Sequence, residues 1–298
     1  MPLCTLERMQ PLIWEHRPEG LRAPALVCAF TGWNDAGDAA SAALQFLGSS
    51  LDAKRFAQLD PEEYYDFQVT RPQIALTDGR TRRIDWPTVE IYEARVPRAA
   101  RDLILLQGPE PSMHWRSYCQ QIVDLVESLG VQIVVSLGSL LADVPHTRPV
   151  HITGLATDEA LTSNMEFSSA SYEGPTGIVG VLHAACEEAG IPSVSLWASV
   201  PHYVAAAPNP KAALALVRKL EGLVGVNVDA TDLEQATEDY ERQVSQAVQS
   251  DPEVREFVER LEEVAAEDEP DVKPSDLPSG DVIAREFQRF LKQRGPDG

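Results

Sequence analysis

Residues 26–48, LVCAFTGWNDAGDAASAALQFLG, divide into three parts. Residues 26–30 are a continuous apolar run of strand length, residues 32–37 crowd small and polar side chains, and residues 38–51 carry apolar residues at helical spacing. A strand followed by a tight turn and a helix is the repeating unit of an α/β fold. Nucleotide enzymes often place a phosphate loop at such a junction. Here an indole and carboxylates, Trp33, Asp35 and Asp38, stand where glycines and a lysine would be expected. Two readings follow: Asn34 and Asp35 are pocket groups, or Asp35 or Asp38 caps the helix from Ala39 while Gly37 eases the turn.

Outward from this unit the pattern repeats. DLILLQG, VQIVVSLGS and IPSVSLWASV are further short apolar runs, each ending in small or polar residues. Between them, residues 115–129 and 177–189 have helical spacing, with Tyr118, Ile122, Leu125, Val126 and Leu129 on one face. Nearly continuous apolar strands are covered on both faces. The expected fold is therefore α/β and three-layered, with a mixed, mostly parallel sheet. RRIDWPTVEIYEAR alternates more cleanly and is expected to form a hairpin or edge pair turning at Asp85, Trp86, Pro87 and Thr88.

The composition narrows the function. With 298 residues, 44% of them hydrophobic, the chain can bury a sizeable core. Its formal charge of -21 repels phosphate backbones and anionic membranes, so neither nucleic acid nor a membrane is an expected partner. No run approaches the roughly eighteen apolar residues of a membrane span, and the start lacks the basic-then-apolar order of a signal peptide, which predicts a cytoplasmic protein. Cys4, Cys28, Cys119 and Cys186 include no CxxC pair, and three of them lie in apolar runs expected to be strands or helices, which fits reduced core thiols. Residues 229–298 hold 20 Asp+Glu against 8 Lys+Arg, a net of -12. They are expected to form an acidic helical appendage to an α/β domain spanning residues 1–228. Its stripe of Val254, Phe257, Val258 and Leu261 would pack on the body or face a partner. A break over residues 269–279 would precede a last helix carrying Val282, Ile283, Phe287, Phe290 and Leu291, capped by Ser279 or Asp281.

Ligand crevices of open parallel sheets lie beyond the carboxyl ends of the strands. The loops there carry Asn34 and Asp35, Glu110 and His114, and Ser139, His146 and Arg148. Together they offer a carboxylate, an imidazole and a guanidinium. In an enzyme, Asp35, Glu110 and His114 would be the catalytic candidates, and Arg148 would bind an anionic group. No GxSxG elbow, P-loop or GxGxxG turn is present, and His146 and His151 match no zinc spacing, so neither a metal nor a cofactor is expected. EGPTGIVGVL could present backbone N–H groups to an anion, or use Gly174, Gly177 and Gly180 for close packing.

The segments GWNDAGDAAS, LLQGPEPSMHW, VVSLGSLLADVPHTRP and EGPTGIVGVL, in this order over residues 12–223, resemble the actinobacterial branch of the proteasome assembly chaperone 2 family. The resemblance implies a fold similar to nucleoside phosphorylases, no established catalytic activity, self-association, and protein partners that include proteasome subunits. A tail of hydrophobic residue, Tyr and any residue, by which some relatives dock, is not expected from the ending QRGPDG. The expected function is a non-enzymatic, chaperone-like, homo-oligomeric protein binder. The alternatives are a small-molecule enzyme or binder of nucleoside or amide type, and a structural scaffold acting through the acidic helices.

Overall fold

The computed structural model describes residues 12–77, 79–158, 161, 168–169, 173–204 and 207–267. The break and last helix expected beyond residue 268 lie outside them. Four parallel strands form the centre of the fold: β2 (Ala25–Thr31), β7 (Leu103–Pro109), β8 (Ile133–Ala142) and β11 (Ser193–Pro201). They lie side by side in the order β7-β2-β8-β11. Antiparallel strands extend both flanks. β6 (Glu90–Ala94), β3 (Lys54–Leu59) and β1 (Leu12–Trp14) continue beyond β7, and β9 (Ile152–Ala156) with β10 (Ser168–Ser169) lies beyond β11. This is the three-layer, mixed sheet expected from the apolar runs.

The alternation within β2 explains the layers. Ala25, Val27 and Ala29 point to one core with α1 (Ala39–Ser50) and α4 (Pro210–Val224). Leu26, Cys28 and Phe30 point to the other, with α2 (Trp115–Ser128) and α3 (Ile178–Glu188). A strand buried on both faces needs apolar residues at every position, which is why the run in β2 is unbroken. Each large aliphatic side chain so buried contributes about 1.5–3 kcal/mol. Cys28, Cys119 and Cys186 are free thiols inside the second core, where burial pushes Cys28 and Cys119 up to about 12 and Cys186 to about 11.

The segment RRIDWPTVEIYEAR departs from expectation. Its two halves do not pair with each other: β5 (Thr81–Asp85) pairs with β4 (Gln73–Thr77) in a separate two-stranded sheet, while β6 joins the main sheet between β3 and β7. Residues 86–89 are a connection between two sheets rather than a hairpin turn. Pro87 has no N–H to donate to a ladder, and the Trp86 ring packs against Phe67 with centroids 4.9 Å apart, which fixes the chain in this crossing.

Past residue 228, α5 (Thr231–Ser250) packs on α4, and α6 (Pro252–Glu267) packs on α5. Tyr240, Val244, Val248 and Val258 form a third cluster, against which Tyr203, Val204 and Val254 pack. The proposed partner stripe therefore faces inward: Val258 is 4% exposed, Val254, Phe257 and Leu261 are half-buried, and the Phe257 ring meets His202 and Tyr203 edge-on. Of the two placements open to these residues, Val254, Phe257 and Val258 adopt packing on the body.

Gly138 in β8 sits directly opposite Trp197 in β11, and a Cβ at Gly138 would lie 2.6 Å from the indole. Gly138→Ala is expected to destabilise the fold by about 1–3 kcal/mol through overpacking. Urea unfolding would read this as a lower midpoint at unchanged slope, and an unchanged midpoint would contradict the packing described.

Candidate functional site

The turn after β2 is stitched to its neighbours residue by residue. The Asn34 carbonyl accepts from Ser139 N at 2.9 Å, and the Ser139 hydroxyl donates to the Ala36 carbonyl at 2.9 Å. Asp35 is 4% exposed, and its Oδ1 accepts from Ala40 N at 2.7 Å and Ser41 N at 3.3 Å. Asp35, not Asp38, therefore satisfies the open end of α1. Asp38 occupies the N-cap position with left-handed backbone angles of φ 49 and ψ 28 and makes no side-chain cap bond, whereas side-chain capping favours extended angles. Burial raises the Asp35 carboxyl above its ordinary value, against the lowering effect of its bonds to Ser41 and Ala40.

Glu110 joins three segments. Its backbone N donates to the Thr31 carbonyl at 3.0 Å, while Oε1 accepts from Asn34 Nδ2 at 2.8 Å and from Ile178 N at 2.7 Å. Ile178 is the first residue of α3, so the carboxylate lies at a helix N-terminus, where negative charge is stabilised. Of the two readings of this glycine-rich helix start, both have a counterpart here: a carboxylate of the chain itself accepts from Ile178 N, and Gly177 is closely packed. Gly177 has no side chain to cap with, and a Cβ there would meet Asn34 Oδ1 at 2.3 Å. The small residue is required by the amide packed on it. Asn34 is fully buried, and among the described residues Asn34 Oδ1 and Asp35 Oδ2 have no hydrogen-bond partner.

Asn34, Asp35, Glu110 and Ser139 are therefore brought together at one edge of the sheet, as expected. His114, His146 and Arg148 are held elsewhere. His114 is exposed, takes left-handed angles before α2, and its Nδ1 lies 2.7 Å from the Glu63 carbonyl. His146 is 3% exposed and binds the C-terminal helices. Its backbone N donates to the Tyr203 hydroxyl at 2.7 Å, its Nδ1 lies 2.8 Å from the same oxygen, and its Nε2 lies 3.0 Å from Ser245 Oγ in α5. With the phenol oxygen already accepting, its proton is available to Nδ1, which leaves Nε2–H to donate to Ser245. That assignment satisfies a neutral imidazole at both nitrogens.

Around this imidazole, Lys211 Nζ donates to the His146 carbonyl at 2.6 Å and meets Glu241 at 2.5 Å, while Thr147 donates to Glu262 of α6 at 2.7 Å. The loop carrying His146 and Thr147 thus engages α4, α5 and α6. Arg148 lines a small cavity with His146, Lys211, Asn209 and Tyr240. Asn209 caps α4 through Ala212 N at 3.0 Å, donates to Tyr240 at 2.9 Å and binds the Gly37 carbonyl through its backbone N at 2.7 Å. Sequence reasoning missed Tyr203, Asn209, Lys211 and Ser245. Only Asn209 had a local signal, a capping residue followed by proline at the first helical position.

The polar turn after β2, the glycine start of α3 and the helix α5 lie together in one family pattern. The PAC2 family matches residues 29–248. The chain belongs to the PAC2 family. The family match runs into α5, so it includes residues beyond the 12–223 over which the motifs were compared. A PAC2 family protein from Streptomyces avermitilis is 49% identical, with 79% of this chain and 99% of that one covered, at a TM-score of 0.74. A proteasome-assembly chaperone homologue from Mycobacterium tuberculosis is 46% identical, covering 78% and 99%, at a TM-score of 0.73. Pyrococcus furiosus PbaB, an archaeal proteasome activator, is similar in fold at 19% identity, covering 79% and 97%, with a TM-score of 0.63. No curated protein matches the chain. Among the described residues of this PAC2 protein, no helix is long and apolar enough to cross a membrane. No group of three or more His, Cys, Asp or Glu is placed there to hold a metal ion.

Two predictions follow from these bonds. Asp35→Ala removes the acceptor at the start of α1 and should cost about 1–2 kcal/mol. Asp35→Asn keeps an acceptor without the buried charge and should stay near the parent in urea unfolding at pH 7; equal losses in both variants would contradict the assigned role. The second concerns His146, whose pKa is lowered from 6.5 by burial and then by Lys211, against Glu262 and Glu241. Its stabilising contribution is present above pH 6.5 and is lost as pH falls through the lowered value. Amide protection along α5, corrected for the intrinsic exchange rate, should therefore fall on acidification from about pH 7 to 5, and the fall should be smaller in His146→Gln.

Proposed function

We propose that this chain is a non-enzymatic, chaperone-like protein binder whose partners are proteasome core subunits. The observation that carries this reading is the use already made of the groups suited to acid–base work. Asp35 holds α1, Glu110 holds α3, His114 is bound to the Glu63 carbonyl, and His146 binds Tyr203 and Ser245. A group that is a fixed acceptor in the fold is poorly placed to exchange protons with a substrate. Family membership and the Mycobacterium homologue support the same reading. Such a protein works in the cytoplasm, needs no cofactor and assembles with copies of itself.

The carboxyl edge of the central strands supplies a surface of the right kind. Trp33 in the loop after β2, Met113 in the loop after β7 and Leu141 near the end of β8 are exposed, while the polar residues beside them are turned inward. Protein interfaces favour aromatic residues and methionine at their centres. A domain of residues 1–228 that carries this edge, with the acidic helices attached as an appendage, accounts for both the apolar rim and the uneven charge.

A second reading, a small-molecule binder of nucleoside or amide type in a phosphorylase-like pocket, is favoured by the two unpaired acceptors, Asn34 Oδ1 and Asp35 Oδ2. A ligand with N–H donors would satisfy them.

Binding to purified proteasome α-subunits, followed by co-sedimentation, separates the two. The full chain is expected to form a complex, weakened about tenfold or more in Trp33→Ala/Met113→Ala, the loss of one or two centrally placed anchors. Absence of any complex, together with thermal stabilisation by a nucleoside or amide metabolite that Asp35→Ala abolishes, would replace the first reading with the second.

A further inference from the structure

The strands β4 and β5 form a two-stranded arm outside the main sheet. Its register places Ile74 opposite Ile84 and Leu76 opposite Arg82, so these four side chains share one face. Ile74, Leu76 and Ile84 are 63%, 64% and 49% exposed, and none of them belongs to either sheet core. The root of the arm is anchored by the packing of Trp86 on Phe67, and Phe67 in turn packs on the second core. An isolated two-stranded ribbon is marginal in water, and an uncovered apolar face adds to that cost.

The arm also reverses the charge of the molecule. Residues 69–86 carry four arginines, Arg71, Arg80, Arg82 and Arg83, against Asp78 and Asp85, a net of +2 within a chain of net -21. Arg83 pairs with Asp85 at 2.7 Å. Among the described residues, no ion pair neutralises Arg71, Arg80 or Arg82. The opposite extreme is the helix pair α5–α6: residues 231–267 hold 12 acidic and 3 basic residues, a net of -9. On α6, Glu256, Glu259 and Glu263 recur at helical spacing on an exposed side, with Val264 exposed beside them.

We propose that the arm of one copy docks on the acidic α5–α6 face of a second copy, its aliphatic residues covering Val264 and its arginines facing the glutamates. Charge complementarity selects this occupant. Arm against arm would set one arginine-rich segment against another, whereas each copy carries both the basic arm and the acidic helices. The contact is heterologous, so repetition closes a ring or continues as a chain of subunits. The arm is small beside the roughly 800 Å² per partner of a standard interface, so association depends on concentration and weakens with salt. The proposal concerns copies of this chain alone and is tested without any client.

Sedimentation velocity of the full chain is the test. The parent should sediment faster as its concentration rises, and less so in high salt. Arg80→Glu/Arg82→Glu and Glu259→Arg/Glu263→Arg should each associate roughly tenfold more weakly, and an equimolar mixture of the two should regain association because opposite charges face each other again. Ile74→Asp/Leu76→Asp should dissociate the protein while leaving circular dichroism and thermal unfolding unchanged, since both positions lie outside the cores. A parent that stays monomeric at every concentration would overturn the proposal and remove self-association while leaving the client reading intact. An oligomeric parent whose folded arm variants sediment as it does would overturn the arm as the contact. Loss in the arm variants alone, or a mixture that fails to re-associate, would overturn the acidic helices as its receptor.

Discussion

The Glu110 carboxylate is the constraint on which the carboxyl edge of this sheet depends. It follows β7, accepts from the Asn34 amide after β2 and from the first N–H of α3, and so fixes three segments far apart in sequence. Remove it, and the Asn34 amide, fully buried, loses its acceptor while the start of α3 loses its counter-charge. Gly177 follows from the same contact, because only a residue without a side chain leaves room for the amide. The turn also passes the constraint across β2. Asn34 and Asp35 lie against Ser139 of β8, and the Gly37 carbonyl receives Asn209 before α4. Both helical layers are therefore referenced to one six-residue turn.

Much of the fold was legible because its signals are local. The unbroken apolar runs of β2, β7, β8 and β11 state that both faces are covered, and the spacing of α1 to α3 states which side each helix buries. The arm was misread for a local reason as well. A clean alternation across Trp86-Pro87 resembles a hairpin, and nothing in the pattern says that the two halves belong to different sheets. What separates them is the pairing of Glu90 with Gln107 in β7 and of Asp85 with Gln73 in β4, which periodicity does not encode.

The candidate site was legible as a set of residues and illegible as a set of bonds. Asn34, Asp35, Glu110 and Ser139 were singled out by their place after parallel strands, and they do meet. Their partners, Ile178 N for Glu110 and the α1 backbone for Asp35, turn would-be catalytic groups into fixed acceptors. His146 shows the same limit from the other side. A polar loop between two strands marked it, but Tyr203 and Ser245 lie 57 and 99 residues away. No spacing rule connects them.

These two locks divide the molecule's surface in a way that bears on how it meets other proteins. Polar side chains at the sheet edge are bonded inward, while Trp33, Met113 and Leu141 are exposed there. Along α5 and α6 the reverse holds: Tyr240, Val244 and Val258 are turned in, through contacts that the neutral His146 and the Lys211–Glu241 pair secure, and the carboxylates are turned out. Apolar surface is costly to leave in water and drives association over short range, whereas a field of carboxylates acts at a distance and fades with salt. Under the proposed reading the two surfaces would take different tasks, the edge holding a partner and the helices steering a basic one. The His146 junction is one of the contacts that join the second surface to the body, beside the packing of α5 on α4. At that junction burial lowers the pKa of His146 and favours the neutral form that its bonds to Tyr203 and Ser245 use, so these bonds weaken as pH falls through the lowered value.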